Sequence, residues 1–334
     1  MPRMNKSQLL NLDYERETMR ICDFIRAGIV KTHKRQGAVV AVSGGSDSST
    51  ALALCVRALG SDHVFGLILP EKDSHPESEA LALRVLESLR VPFEITDITP
   101  ILEAMGCYRF RDEAIRRLFP QYGTGYRCNL LLRSSRSAGK LAYFYDLVIQ
   151  DPIGMRKRKR LPLKQYLQIM AATSMKQRTR KSLEYFHADR LNYAVVGTPN
   201  FVEYHQGFFV RQGDGAADIK PLAHLFKSQV FGLAKHLGLP EEVLAREPTT
   251  DTFSLTQSQK DFFFQIDFDR LDLILTGLQS AAGLAQLSEQ SGLPVEELEW
   301  IIRDIERKHA AAEILNLPPL SLVPPQPETR SIDD

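Results

Sequence analysis

Ser43-Gly44-Gly45-Ser46-Asp47-Ser48 gathers two glycines, three hydroxyls and one carboxylate in six positions. That mixture suits the grip of a polyphosphate. Glycine N–H groups can curl round an anion that bulkier residues would push away, and the hydroxyls add donors. Asp47 would repel a bare phosphate, so its place in the run implies a divalent cation between carboxylate and phosphate. Apolar, mostly β-branched residues from Val39 to Val42 precede the run and read as a strand covered on both faces. From Ser46 onward the chain reads as a first helical turn, where N–H groups lack intrahelical partners and the positive end of the helix dipole meets the anion. Neither a Lys-Ser/Thr ending nor G-x-G-x-x-G is present, which sets aside the two commonest phosphate loops. The competing reading is a serine-glycine turn that caps an ordinary helix.

Other chemistry-bearing residues lie far along the chain. Gly197-Thr198-Pro199-Asn200 breaks an apolar run, and Glu203 follows. Gly213-Asp214-Gly215-Ala216-Ala217-Asp218 is a glycine- and acid-rich loop, and Glu247-Pro248-Thr249 forms another. Arg178 and Lys181 are three apart on a long helical stretch and so share a face. Arg156 to Arg160 is a run of five cations between two Pro-containing turns. Charge runs are usually solvated, so it reads first as the solvated arm of a hairpin and second as a clamp for a polyphosphate or nucleic acid.

The elements that position these residues follow a regular rhythm. The chain of 334 residues is long enough for one large domain or two modest ones. Residues 9–32 predict a helix with Ile21, Phe24, Ile25 and Ile29 on one face. Ser48 to Leu59 predicts a helix ended by Gly60, Val64 to Leu69 a strand, Ser74 to Leu89 a helix opened by Pro76, and Phe93 to Ile98 a strand. A short helix is expected from Thr99 to Met105. This alternation implies a doubly wound α/β domain with mostly parallel strands, and ligands in such sheets sit at the carboxyl ends of the strands. Residues 107–163 break the rhythm and read as an insertion or lid, with a short amphipathic segment from Asp112 to Phe119 and strands at Leu130–Leu132 and Leu141–Ile149. A helix from Leu163 to Ala188, a strand from Tyr193 to Val196 and a helix from Leu222 to Leu237 follow. A helical C-terminal part is expected over residues 256–317, at Leu271–Leu278, Gly283–Gln290 and Val295–Ala312. Residues 318–334, rich in proline and charge, predict a flexible tail after a single domain at 1–317.

Composition narrows the function classes. Hydrophobic residues make 43% and charged residues 25%, ordinary values for a globular protein. Lys and Arg total 42 against 41 Asp and Glu, which counts against a dedicated nucleic-acid binder. The four cysteines, Cys22, Cys55, Cys107 and Cys128, form no C-x-x-C pair, so neither a disulfide framework nor a zinc site is expected. No signal-peptide pattern and no membrane-length apolar run is present, and a cytoplasmic protein is the expectation.

The run Ser43–Ser48 resembles the S-G-G-x-D-S signature of the PP-loop ATP pyrophosphatases. With Lys176-Gln177-Arg178-Thr179-Arg180, Gly197 to Glu203, Gly207-Phe208-Phe209, Gly213 to Leu222, Phe226-Lys227-Ser228-Gln229 and Glu247-Pro248-Thr249, the whole set is similar to the successive motifs of NAD synthetase, in that family's order and spacing. The resemblance implies a Rossmann-like adenine nucleotide α-hydrolase fold. It implies ATP-dependent amidation of nicotinic acid adenine dinucleotide (deamido-NAD) to NAD with ammonia, through an acyl-adenylate, with release of AMP and pyrophosphate. By the same resemblance Asp47 and Glu203 hold Mg²⁺. Ser43, Gly44, Gly45, Ser46, Asp47 and Ser48 grip the pyrophosphate, and Thr198, Lys227 and Thr249 also touch ATP. Arg178, Arg211 and Asp218 contact the dinucleotide acid, and Asp214 helps deprotonate ammonium; Asp47, Asp214 and Lys227 form the catalytic set. A homodimer is implied. Fewer than forty residues come before the strand at Val39, with no glutaminase domain among them, so free ammonia or ammonia from a separate glutaminase is the expected nitrogen source.

The chain departs from the family pattern in places. Arg211 stands where Lys is usual, and Gln257-Ser258-Gln259-Lys260 lacks the acidic pair of a Q-T-D-E-like segment. Taken singly, the far residues also have plain structural readings: Asp214 and Asp218 as carboxylates capping their own glycine turn, Arg178 as a solvated helix charge, Thr249 as a helix cap, Lys227 as a surface cation and Glu203 as an exposed acid. Three other functions compete: an amide ligase for a different carboxylic acid, a tRNA-modifying PP-loop enzyme, and a nucleotide-binding module without catalysis. Joint presence of Asp47 and Glu203 argues against the last, since a simple binder needs no metal-ligating pair.

Overall fold

The computed structural model describes residues 12–137 and 140–322, with side chains described outside 136–141. Two sheets organise them. The strands in chain order are β1 (Ala38–Ala41), β2 (Val64–Ile68), β3 (Phe93–Ile95), β4 (Arg127–Ser137), β5 (Lys140–Gln150), β6 (Arg156–Arg160) and β7 (Ala194–Val195). β1, β2, β3 and β7 form a parallel sheet in the order β3-β2-β1-β7, with Val39 opposite Phe65 and Val195, and Leu67 opposite Glu94. Successive side chains of β1 feed opposite faces, as the pleat requires. Ala38 and Val40 join one core and Val39 another.

The first core lies under α1 (Tyr14–Arg26), α2 (Ser46–Leu59) and α3 (Pro76–Ser88). The opposite face is covered by α4 (Thr99–Ala104), α5 (Cys107–Arg116) and α6 (Leu163–Leu191). This is the doubly wound arrangement that the strand–helix alternation predicts. Boundaries move for local reasons. Asp13 caps α1 by accepting from the Arg16 N–H at 3.0 Å, and the last six residues of the expected helix, Ala27–Thr32, wind as a π-helix. α2 starts at Ser46 rather than Ser48. The third strand stops at Ile95, although Thr96 still donates to the Ile68 carbonyl at 2.9 Å.

β4, β5 and β6 are antiparallel and carry the irregular block. β5 agrees with the expected Leu141–Ile149 to within one residue at each end, whereas β4 is longer than the expected Leu130–Leu132 because pairing continues into polar residues on both sides. The five cations Arg156–Arg160 form an exposed edge strand, and charge on an edge discourages further strand pairing. Arg158 faces Asp146 at 3.4 Å and Arg160 lies over the Phe144 ring at 4.2 Å. The other side of this sheet packs on α5 and α6: Leu130, Leu147 and Ile149 share a core with Ile115, Phe119, Ile169 and Phe262.

The remaining helices are α7 (Phe201–Gln206), α8 (Lys227–His236), α9 (Glu241–Ala245), α10 (Phe268–Gln279), α11 (Leu284–Ser291) and α12 (Val295–Asn316). α8 is shorter than the expected Leu222–Leu237. It begins at Lys227 because the Gln229 side chain accepts from the Phe226 N–H at 3.0 Å, while Leu225 turns back onto Leu222. α7, α10, α11 and α12 share an apolar core around Val202, Ile274 and Leu298. Of the expected tail, residues 323–334 lie outside the described residues.

Candidate active site at the carboxyl ends of the parallel strands

The chain leaves β1 at Ala41 and enters α2 at Ser46, and this turn is the phosphate run. Gly45 precedes α2 in extended conformation, and no side chain caps the helix start. Its first N–H groups therefore face a cleft of about 500 Å³, the setting in which a helix N-terminus takes an anion. Ser48 Oγ accepts from the Ser43 N–H at 3.2 Å and lies 3.1 Å from Ser43 Oγ, so the two hydroxyls hold the turn closed. The two glycines do different things. Gly44 has φ +73°, and a Cβ there would meet the Ser78 carbonyl oxygen at 2.5 Å. It is needed because α3 packs against the turn. A Cβ on Gly45 would meet only Ser43 Oγ, at 3.4 Å, so its bareness leaves room on the cleft side.

Asp47, on the first turn of α2, is ion-paired with Lys227 at the start of α8, and its other oxygen accepts from Asn200 Nδ2 at 3.0 Å. Lys227 is 1% exposed, which overturns its reading as a surface cation. It also donates to Ser46 Oγ at 3.2 Å. Burial works against the ammonium, but Asp47 and Glu203 together outweigh it and raise its pKa. Glu203 is buried too, so it is not an exposed acid. Asn200 and Glu203 close a capping box on α7: Asn200 Oδ1 accepts from the Glu203 N–H at 3.0 Å, and Glu203 Oε2 accepts from the Asn200 N–H at 3.2 Å. The second Glu203 oxygen accepts from Gln259 Nε2 at 3.2 Å. Burial, and then the neighbouring Asp47 charge, push the Glu203 carboxyl up to about 8. Two carboxylates and one buried lysine from three distant segments thus meet at the N-terminus of α2. Among the described residues no group of three or more His, Cys, Asp or Glu side chains is placed to hold a metal. A cation here would rest on Asp47, Glu203 and neutral or phosphate oxygens.

Thr198 and Thr249 also line this cleft. Thr249 caps no helix; it makes an isolated antiparallel bridge with Ser258. The loop that carries it is tied down by residues that sequence reasoning missed. Asp251, at φ +46°, accepts from the His75 N–H at 2.8 Å and from Ser78 Oγ at 2.9 Å. Lys176 donates to the Thr252 carbonyl, to Glu71 and to Asp73, each at 2.8 Å. Arg111 pairs with Asp73, and Tyr108 donates to Glu71 at 2.7 Å. Lys176 belongs to the run Lys176–Arg180 on α6, but its partners lie 105, 103 and 76 residues away along the chain. No local pattern marks that pairing.

The acid-side residues divide. Asp214 lines the cleft, and its Oδ1 accepts from the Val210 N–H at 2.7 Å, so the turn-capping reading is partly right. Burial raises its pKa. Beside it the buried pair Lys181–Glu184, at 2.6 Å, also lines the cleft. Asp218 accepts from the Val195 N–H at 2.7 Å and from the Tyr185 hydroxyl at 3.4 Å, which ties its loop to β7. Arg178 and Arg211 come together, Arg178 Nε donating to the Arg211 carbonyl at 3.3 Å, but both are exposed and outside the cleft lining. The cleft's far end is aromatic, with Tyr145, Phe208, Phe262 and Phe263. Tyr145 stacks on Tyr166 with ring centroids 4.8 Å apart.

An anion-gripping helix start without a P-loop lysine, at the carboxyl edge of a parallel sheet, is the arrangement of the PP-loop ATP pyrophosphatases, and it sets the class. The NAD synthase family profile matches residues 17–129 and 148–311. The chain is 47% identical to the NH(3)-dependent NAD(+) synthetase of Rhizobium rhizogenes, over 95% of this chain and 96% of that protein. It is 48% identical to the enzyme of the same name from Rhizobium meliloti, over 94% of each. The structure of an NH3-dependent NAD synthetase from Campylobacter jejuni superposes with a TM-score of 0.60 at 23% identity, covering 93% of this chain and all of that one. An NMN synthetase from Francisella tularensis superposes with a TM-score of 0.63 at 20% identity, over 95% of this chain and all of that one. These two likenesses speak to the fold. The chain belongs to the NAD synthase family and is a ligase. Residues 130–147, which hold most of β4 and β5 and include Tyr145, fall between the two matched segments.

Proposed function

We propose that this chain amidates nicotinic acid adenine dinucleotide to NAD with ammonia, through an acyl-adenylate formed from ATP. The observation that carries the reading is the meeting of Asp47, Lys227 and Glu203 at the uncapped start of α2, in a chain close in sequence to ammonia-dependent NAD synthetases. A carboxylate is a poor electrophile. Its oxygen attacks the α-phosphorus of ATP, and the bond to the β-phosphate oxygen breaks. Ammonia then attacks the acyl carbon, a proton leaves the nitrogen, and AMP departs.

The phosphate run, Ser43 to Ser48, and the N–H groups of α2 bind the departing pyrophosphate. Lys227 stabilises the charge that gathers on the phosphates, and Thr198 and Thr249 orient the nucleotide. Asp214, kept basic by burial, accepts the proton from the incoming nitrogen. Arg178 and Arg211 hold the dinucleotide acid from outside the cleft, with a homodimer completing that side, and Asp218 keeps the adjoining loop on β7. The Asp47–Glu203 pair fits Mg²⁺: two crowded carboxylates and the unpartnered Oε1 of buried Gln259 form a hard-oxygen set. Mg²⁺ bound there would neutralise phosphate charge as the α-phosphorus is attacked. The enzyme works in the cytoplasm with free ammonia or with ammonia from a separate glutaminase.

A second reading, an amide ligase for another acid, draws on the placement of Arg178 and Arg211 outside the cleft. One assay separates the two. Pyrophosphate release from ATP with Mg²⁺ and ammonium is followed with and without the dinucleotide acid, alongside NAD. Release that needs the acid and matches NAD supports the first reading; release only with a different carboxylic acid overturns it.

A further inference from the structure

Gln259 is 9% exposed and lines the cleft. Its backbone N–H donates to the Pro248 carbonyl at 3.0 Å, which places it between the Thr249 loop and α7. Its Nε2 donates to Glu203 Oε1 at 3.2 Å, while its Oε1 is buried with no hydrogen-bond partner. A buried amide oxygen without a donor is costly and calls for an explanation. Turning the amide over would only exchange the atoms, leaving Nε2 unpartnered in that place, and with Glu203 ionised it would also set Oε1 against the carboxylate. Lys227, the buried cation of the cluster, bonds Asp47 and Ser46 Oγ and makes no hydrogen bond to Gln259.

We propose that Gln259 Oε1 is a third protein oxygen donor, directly or through one water, to a divalent cation at the Asp47–Glu203 pair. A hard cation takes amide carbonyls as readily as carboxylates. A neutral third donor also suits the local charge. Asp47 and Glu203 already face the buried Lys227, and an amide adds a ligand oxygen there without a further charge to bury when the cation is away. The same amide holds Glu203 by its N–H, so one side chain orients one oxygen ligand and supplies another.

The inference rests on the cation reading given above, and the experiment separates their failures. Mn²⁺ binding to the full chain is followed by electron paramagnetic resonance with α,β-methylene-ATP present, which requires no turnover. Asp47→Ala tests the cation reading; Mn²⁺ affinity unchanged in that variant overturns both. With Asp47→Ala weakened, Gln259→Met, close in size but without the oxygen, is expected to bind Mn²⁺ roughly 10- to 100-fold more weakly, the usual loss for a ligand-supporting group. Gln259→Glu, which keeps an oxygen and loses the N–H, is expected to bind Mn²⁺ at least as tightly as the parent chain. Unchanged affinity in Gln259→Met overturns the inference and leaves the cation reading standing. A Gln259→Glu variant as weak as Gln259→Met overturns it too, since the amide then acts only by holding Glu203. So does a raised KM for ammonium in Gln259→Met with Mn²⁺ affinity intact, which would make the oxygen an ammonium acceptor. Should Gln259→Met fail to fold, the Gln259→Glu result decides alone.

Discussion

Asp47 and Lys227 are 180 positions apart and form an ion pair at the first turn of α2, the lysine buried and the aspartate half-buried. Each also serves the cluster around it: Asp47 accepts from Asn200, which caps the helix bearing Glu203, and Lys227 donates to Ser46 of the phosphate run. The pair therefore joins three segments into one site.

Lys227→Met should leave Asp47 and Glu203 without their buried cation. Breaking one partner of a buried pair costs about 3–5 kcal/mol, and the loss of phosphate stabilisation should slow pyrophosphate release by roughly 10²- to 10³-fold. Urea denaturation and a pyrophosphate assay check both. Asp47→Ala is expected to abolish adenylation at any practical Mg²⁺ concentration.

Gly44 and Gly45 should respond differently to alanine. Gly44→Ala places a Cβ against the Ser78 carbonyl at a left-handed φ, and the conformation alone costs about 1–2 kcal/mol. Gly45→Ala meets only Ser43 Oγ, so its effect should fall on ATP affinity and hardly on the urea midpoint. Equal stability losses in the two variants would contradict this division.

The Lys176 network should tie stability to acid pH through Asp73. Burial pushes the Asp73 carboxyl up, but Lys176 and Arg111 outweigh it and hold its pKa below the ordinary value. A depressed folded pKa stabilises above the unfolded value, about 4, and that contribution is lost as pH falls through the folded value. Lys176→Met removes the stronger of these counter-charges, so its stability should be lower at pH 7 and should change less on acidification below about 4. Denaturation at several pH values measures the slope.

Asp214→Asn should separate the two half-reactions. Pyrophosphate release should survive, while NAD formation falls by roughly 10²- to 10⁴-fold, the range for loss of a positioned base. A parallel fall in both products would instead mean that the residue's bond to the Val210 N–H is its main contribution.

Much of the parallel sheet was legible in the sequence because its strands are short apolar runs that end in glycine or proline turns. Val39 to Val42 reads as buried on both faces, and Val39 lies in one core while Val40 and Val42 lie in the other. α8 was overread at its start, since Leu222 and Leu225 continue the apolar spacing while Gln229 caps the Phe226 N–H and delays the helix. β4 extends beyond its apolar run because antiparallel pairing carries on through Arg133, Ser134 and Ser135, which have no strand-like periodicity.

By itself the sequence determined the phosphate run, the alternation of strands and helices and the ligand end of the strands, all properties of residues near one another in the chain; the sheet order β3-β2-β1-β7 came with the fold. Tertiary structure decided the state of the distant residues. Taken singly Lys227 reads as a surface cation and is buried, Gln259 reads as a departure from an acidic motif and sits on Glu203, and Lys176, quoted only within the run Lys176–Arg180, anchors the Thr249 loop. Arg178 keeps its solvated reading. The physical reason is that burial and charge pairing depend on which segments the fold brings together, and those partners lie tens to hundreds of residues away along the chain.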